Sequence, residues 1–140
     1  MVRKSHIALG VLSVLLLGVG SASADGAFAV GSTGLLGQDG IAMGYAVNAR
    51  SSADATNSAI QRCREFDAPK ANKRCVIAAT FRNECLAVAL DPTPGMNGTG
   101  WSFGPSKQAA EQRAMAVCKA TANPGRESAC RIMASVCDGI

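Results

Sequence analysis

Six cysteines, Cys63, Cys75, Cys85, Cys118, Cys130 and Cys137, and a single histidine, His6, decide what chemistry this chain can attempt. A free thiol beside an imidazole would make a nucleophile, and cysteines with histidine would make a metal site. The histidine, however, lies inside what reads as a cleavable export signal. The cysteines all follow that signal, and an even set in an oxidising compartment is most simply three disulfides. Without imidazole or thiolate there is no Ser-His-Asp triad, no Cys-His pair and no histidine metal site. The residues therefore specify no metal, no cofactor and no catalytic group.

What remains for acid–base work is carboxylate, and no two carboxylates are singled out by spacing or by an apolar setting. Glu84, beside Cys85, reads as a residue of a strand turn. The glycine-rich stretch 95–100 lacks a following lysine and a strand-to-helix context, so it reads as a hairpin-like loop and not a phosphate cradle. Two surfaces remain as binding candidates. Arg62, Arg64, Lys70, Lys73 and Arg74 cluster around the end of a predicted helix and the loop after it. They suit either an anionic partner or a solvated helix terminus. Tyr45 and Trp101 occupy matching places on two predicted strands, as a platform for sugars or peptides or as core.

The start of the chain has the three-part pattern of a secretory signal. Arg3 and Lys4 precede an apolar run over residues 7–19, and Ser21-Ala22-Ser23-Ala24 supplies small residues for cleavage after Ala24. The run is shorter than the roughly 20 residues a spanning helix needs, and nothing beyond Asp25 is long and apolar enough to span a bilayer. Residues 1–24 are thus read as signal peptide and 25–140 as a single exported domain, periplasmic or secreted. Removing Arg3 and Lys4 from the 14 basic residues leaves 12 against 10 acidic ones, a net charge of +2. That balance does not argue for nucleic acid, which calls for a concentrated basic face. Large apolar side chains are scarce, so the core must be small-residue packing stapled by disulfides.

An internal duplication organises the domain. A shift of 55 places Cys63 on Cys118, Cys75 on Cys130, Ala59 on Ala114 and Ile77 on Ile132. With one residue of slippage Gly44-Tyr45 falls on Gly100-Trp101, and Ala27-Phe28-Ala29-Val30 loosely matches Ala87-Val88-Ala89-Leu90. Each half, 26–82 and 83–140, reads strand, strand, helix, strand. In the first, residues 27–30 and 41–47 are strands. Ser51 with Asp54 opens a helix to about residue 66, and 75–81 is a continuous apolar run suited to a buried strand. In the second, 85–90 and 99–103 are strands, a helix runs from Pro105-Ser106 to about residue 120, and 129–136 closes the chain. The expected fold is α+β, an antiparallel sheet with two helices packed on it. The symmetry selects Cys63–Cys75 and Cys118–Cys130 as equivalent staples and leaves Cys85 with Cys137, one of 15 pairings that six cysteines allow.

The mature start Gly26-Ala27-Phe28-Ala29-Val30, the segment Phe81-Arg82-Asn83-Glu84-Cys85-Leu86-Ala87, Gly100-Trp101 and the closing Cys130 to Cys137 resemble the small exported bacterial proteins grouped as domain of unknown function 4189. The resemblance covers nearly all of the chain after the signal. It implies an export-dependent, disulfide-bonded α+β domain and supplies no activity or catalytic residue. The functional expectation is a non-catalytic binding or interaction module outside the cytoplasm, partnered by a protein or a cell-envelope component. The alternative is a carboxylate-dependent hydrolase acting on cell-wall glycan.

Overall fold

The computed structural model describes residues 25–139, and the export-signal reading of residues 1–24 lies outside them. In chain order the elements are β1 (Asp25–Gly31), a single helical turn α1 (Leu36–Asp39), β2 (Ala42–Ala49), α2 (Ser52–Arg64), β3 (Val76–Phe81), β4 (Cys85–Leu90), β5 (Thr99–Gly104), α3 (Lys107–Thr121) and β6 (Arg131–Cys137). Short 3₁₀ turns, Asn72–Arg74 and Glu127–Ala129, lead into β3 and β6. The strands form two antiparallel three-stranded sheets, ordered β2-β1-β3 and β5-β4-β6. Each half of the chain thus builds the same ββαβ unit with the same strand order.

Both long helices begin where serine supplies the cap. The Ser51 hydroxyl accepts from the Asp54 N–H at 3.1 Å, and the Ser106 hydroxyl from the Ala109 N–H at 3.2 Å. These bonds satisfy N–H groups that the helix itself leaves without acceptors. Ala55, Ala59 and Cys63 are buried on α2, and Ala110, Ala114 and Cys118 on α3, again at matching places.

Successive strand residues face opposite ways, and the two central strands divide their faces by size. Ala27 and Ala29 of β1 pack with Ala55, Ala59 and Cys63 beneath α2. Ala87 and Ala89 of β4 pack with Ala110, Ala114 and Cys118 beneath α3. The intervening Phe28, Leu86 and Val88 point the other way and meet, with Met43 and Phe81, in a third cluster between the sheets. The layers are therefore helix, sheet, sheet, helix. Phe28 packs on Trp101 with ring centroids 5.2 Å apart, and Phe81 on Phe103 at 5.0 Å.

The helices lie so close that a matching strand position in each half has no room for a side chain. A Cβ on Gly44 would stand 2.2 Å from the Ala59 carbonyl oxygen, and one on Gly100 would stand 2.4 Å from that of Ala114. The halves share a second irregularity: β3 bulges at Ala78 against Phe28 and Ala29, and β6 at Met133 against Val88 and Ala89. The apolar run over 75–81 does not form a fully buried strand. β1 takes the centre of its sheet, so β3 is an edge, with Val76 and Thr80 exposed.

Disulfides join Cys63 to Cys75, Cys118 to Cys130 and Cys85 to Cys137. The first two close equivalent 12-residue separations from helix end to strand start, each worth about 3 kcal/mol by loop entropy. The third joins cross-strand partners at the start of β4 and the end of β6, beside the pair Leu86 and Val136. In the first half the corresponding place, beside the pair Gly26 and Phe81, holds Asp25 and Arg82. There the Arg82 guanidinium donates to Asp25 Oδ1 from Nε at 2.7 Å and also from Nη2. An ion pair occupies in one half the position that a disulfide occupies in the other.

Two expected outcomes follow from this packing. Gly100→Ala should lower unfolding stability by about 1–3 kcal/mol, the cost of overpacking against backbone, read from urea denaturation of the oxidised protein; unchanged stability would contradict the close approach. The double variant Asp25→Cys, Arg82→Cys should form a fourth disulfide, seen as no free thiol and as the linked peptide pair, and should stabilise by about 2–4 kcal/mol. Two titratable thiols would show that the halves are not equivalent here.

Candidate functional site

Three loops converge where the halves meet at one end of the sandwich: residues 32–41 after β1, residues 65–75 after α2, and residues 91–98 after β4. Each is held by its own polar hub. In the first, the Thr33 hydroxyl donates to Asp39 Oδ2 at 2.8 Å, and Lys70 from the second loop donates to Asp39 Oδ1 at 2.8 Å. In the second, the Asn72 side-chain amide donates to the Phe66 carbonyl at 3.0 Å, and the Cys63–Cys75 bond closes the loop. In the third, the Arg126 guanidinium grips both oxygens of Asp91 at 2.9 Å, while the Thr93 N–H donates to Asp91 Oδ1 at 2.9 Å. That pattern, an aspartate accepting from the residue two places on, is the usual device for turning a chain.

Between these loops lies an open groove of ≈ 450 Å³, within the range of small-molecule sites. It runs from Leu36 and Ile41 past Phe66 to Leu90, Met96 and Met133. Phe66, Met96 and Met133 are all exposed, Met133 at 53 %. The groove belongs to both halves, because Ile41 precedes β2 and Met133 lies on β6. The far ends of those strands are tied together by Asp138. Its Oδ1 accepts from the Asn48 N–H at 2.7 Å, and the Gly139 N–H donates to Asn48 Oδ1 at 3.0 Å. Asp138 is fully buried, and its Oδ2 has no hydrogen-bond partner among the described residues.

Three carboxylates line the groove, Asp39, Asp67 and Asp91. The Lys70 hydrogen bond, followed by that of Thr33, holds Asp39 below the ordinary carboxylate range despite its partial burial. For Asp91 burial alone would raise the pKa. The Thr93 N–H and hydroxyl and the Arg126 guanidinium outweigh it, and the net direction is down. Both groups are thus kept as anions, the form that accepts hydrogen bonds and cannot donate a proton.

The basic residues expected to cluster divide between two places. Lys70, Lys73 and Arg74 line a shallow depression with Thr33 and Asp39. Arg62 faces another, with Asp54 and Asn57, and donates to the Tyr45 carbonyl at 2.6 Å; Arg64 is exposed and lines neither. Tyr45 and Trp101 are half-buried and pack against the cluster between the sheets. The groove leaves no local trace in the sequence. Its apolar residues lie far apart in the chain, and the one local signal, Asp91-Pro92-Thr93, marks a turn and not a site. No group of three or more histidine, cysteine, aspartate or glutamate side chains able to hold a metal occurs among the described residues.

The architecture defines a disulfide-bonded α+β domain, a duplicated ββαβ unit closed into a four-layer sandwich with a groove on its seam. By sequence, residues 26–137 match the model of the family described as Domain of unknown function (DUF4189), and the chain belongs to that family. No curated protein and no solved structure matches it.

The two aspartate hubs set an acid response. A carboxyl whose folded pKa lies below its unfolded value, about 3.9, contributes stability that is complete above that value and lost as pH falls through the lower folded one. Stability should therefore drop below about pH 4, and Asp91→Asn should flatten that drop while lowering stability at neutral pH. Chemical denaturation between pH 2 and pH 7 checks this; an unchanged acid slope in the variant would contradict the Asp91 hub.

Proposed function

We propose that the protein is a non-catalytic binding module acting outside the cytoplasm, periplasmic or secreted, with the seam groove as its binding surface. The observation that carries the reading is the groove itself: exposed Phe66, Met96 and Met133 on a frame held by disulfides and ion pairs. Apolar side chains gathered in a concave surface and left in water mark a place where something else docks. Three disulfides support the compartment, since such bonds persist where the surroundings are oxidising. No described helix is long and apolar enough to cross a membrane.

The chemistry of the groove disfavours the hydrolase alternative. Glycan hydrolysis by two carboxyls needs one kept protonated by an apolar setting, to act as the acid. Asp39 and Asp91 are pushed in the opposite direction by Lys70, Thr33, Thr93 and Arg126. Asp67, the third carboxylate, is exposed to solvent.

The test uses the oxidised, exported protein as bait on envelope and culture fractions, with purified peptidoglycan in parallel. The module predicts a partner held by the wild type and lost with Met133→Asp, with no glycan turnover. Release of soluble muropeptides that Asp67→Asn abolishes would overturn it in favour of the enzyme, and so would retention of every partner by Met133→Asp.

A further inference from the structure

The apolar groove and the basic depression are continuous. They share Asp39, and Pro69, which lines the groove, is followed directly by Lys70, which lines the depression. Lys70 is neutralised by Asp39 at 2.8 Å. Lys73 and Arg74, both exposed, have no acidic partner among the described residues. The site thus has a largely apolar groove at one end, with Asp67 as its lining carboxylate outside the ion pairs, and at the other end two cations without an acidic partner. The cations sit on a firm base, because the turn Asn72–Arg74 runs directly into Cys75, which is bonded to Cys63.

On the reading of the groove as a binding site, we infer that its ligand is a single-chain amphiphile with an anionic headgroup. The acyl chain lies between Phe66, Met96 and Met133, and the headgroup rests on Lys73 and Arg74. Charge complementarity selects the headgroup. The lining selects the chain, since methionine is unbranched and polarizable and adapts to a flexible occupant. An extended peptide would ask for directed hydrogen bonds, and the two paired carboxylates of the lining are already engaged by Lys70, Thr33, Thr93 and Arg126. An acyl chain asks for none. The ligand is a lipid monomer and not a bilayer surface, because the apolar residues line a recess between three loops and not a projecting face.

The experiment titrates the oxidised, exported protein with lauroyl-lysophosphatidylglycerol below its micelle concentration. Neutral lauroylglycerol, inorganic phosphate and phosphatidylglycerol vesicles serve as comparisons. Calorimetry gives affinity, and the methyl resonances of Met96 and Met133 report position. The expected result is saturable one-to-one binding of the anionic lipid that moves both methyl signals, with the neutral lipid weaker by about tenfold. Lys73→Ala with Arg74→Ala should bring the anionic lipid down to the neutral one and leave the neutral one unchanged. Met133→Gln should weaken both. Equal affinity for the two lipids, still methyl signals, an unchanged double variant, or a preference for vesicles or for phosphate alone would each overturn the inference. Should no lipid bind while a partner is still lost with Met133→Asp, the amphiphile is wrong and the groove remains a binding site. Far-UV circular dichroism of each variant separates lost binding from lost folding.

Discussion

The closeness of helix to sheet governs the rest of this structure. An alanine-lined helix face rests on an alanine-lined strand face in each half, near enough that Gly44 and Gly100 touch backbone of the opposing helix. Small residues there bury little area apiece, so burial at roughly 25 cal/mol per Å² cannot by itself carry a domain of this size. Two other sources make up the difference. The large side chains of the central strands all turn to the opposite face, where Phe28, Leu86 and Val88 weld the two sheets. The disulfides then limit the freedom of the unfolded chain, closing the loop from helix to edge strand in both halves.

This division of labour makes the seam the natural place for a site. Each half is closed on its helix side and open on its sheet side, and stacking the open sides leaves irregular ground only where loops of both halves meet. Asp138 and Asn48 join one end of that seam. At the other end the hubs of Asp39 and Asp91 use polar groups to shape loops whose apolar residues are left facing outward. Asp39 and Asp91, beside the groove, are therefore structural anions that hold the loops in shape.

The repeat could be seen in the chain because cysteine and glycine at fixed spacing are rare enough to align, and the caps because serine at Ser51 and Ser106 has a local mechanism. The split into two stacked sheets could not. Strands buried on both faces read as unbroken apolar runs, and in Phe28-Ala29-Val30 or Leu86-Ala87-Val88 the faces differ in size and not in polarity. A pattern of apolar and polar residues carries no information about such a choice. The groove was hidden for a different reason: Phe66, Met96 and Met133 are unremarkable singly and are brought together only by the stacking. The pairing of Asp91 with Arg126 spans 35 positions and leaves no local trace.

The central claim is that large residues of β1 and β4 face one another while their alanines face the helices. Nuclear Overhauser contacts in the labelled, oxidised protein test it most directly, because a strand slipped by one residue would reverse the faces. The account predicts strong cross-peaks from the Phe28 ring to the Trp101 indole and from Phe81 to Phe103, whose ring centroids lie 5.2 and 5.0 Å apart. Cross-peaks from Phe28 to Ala55 and Ala59 instead, placing the aromatic face beneath α2, would contradict it.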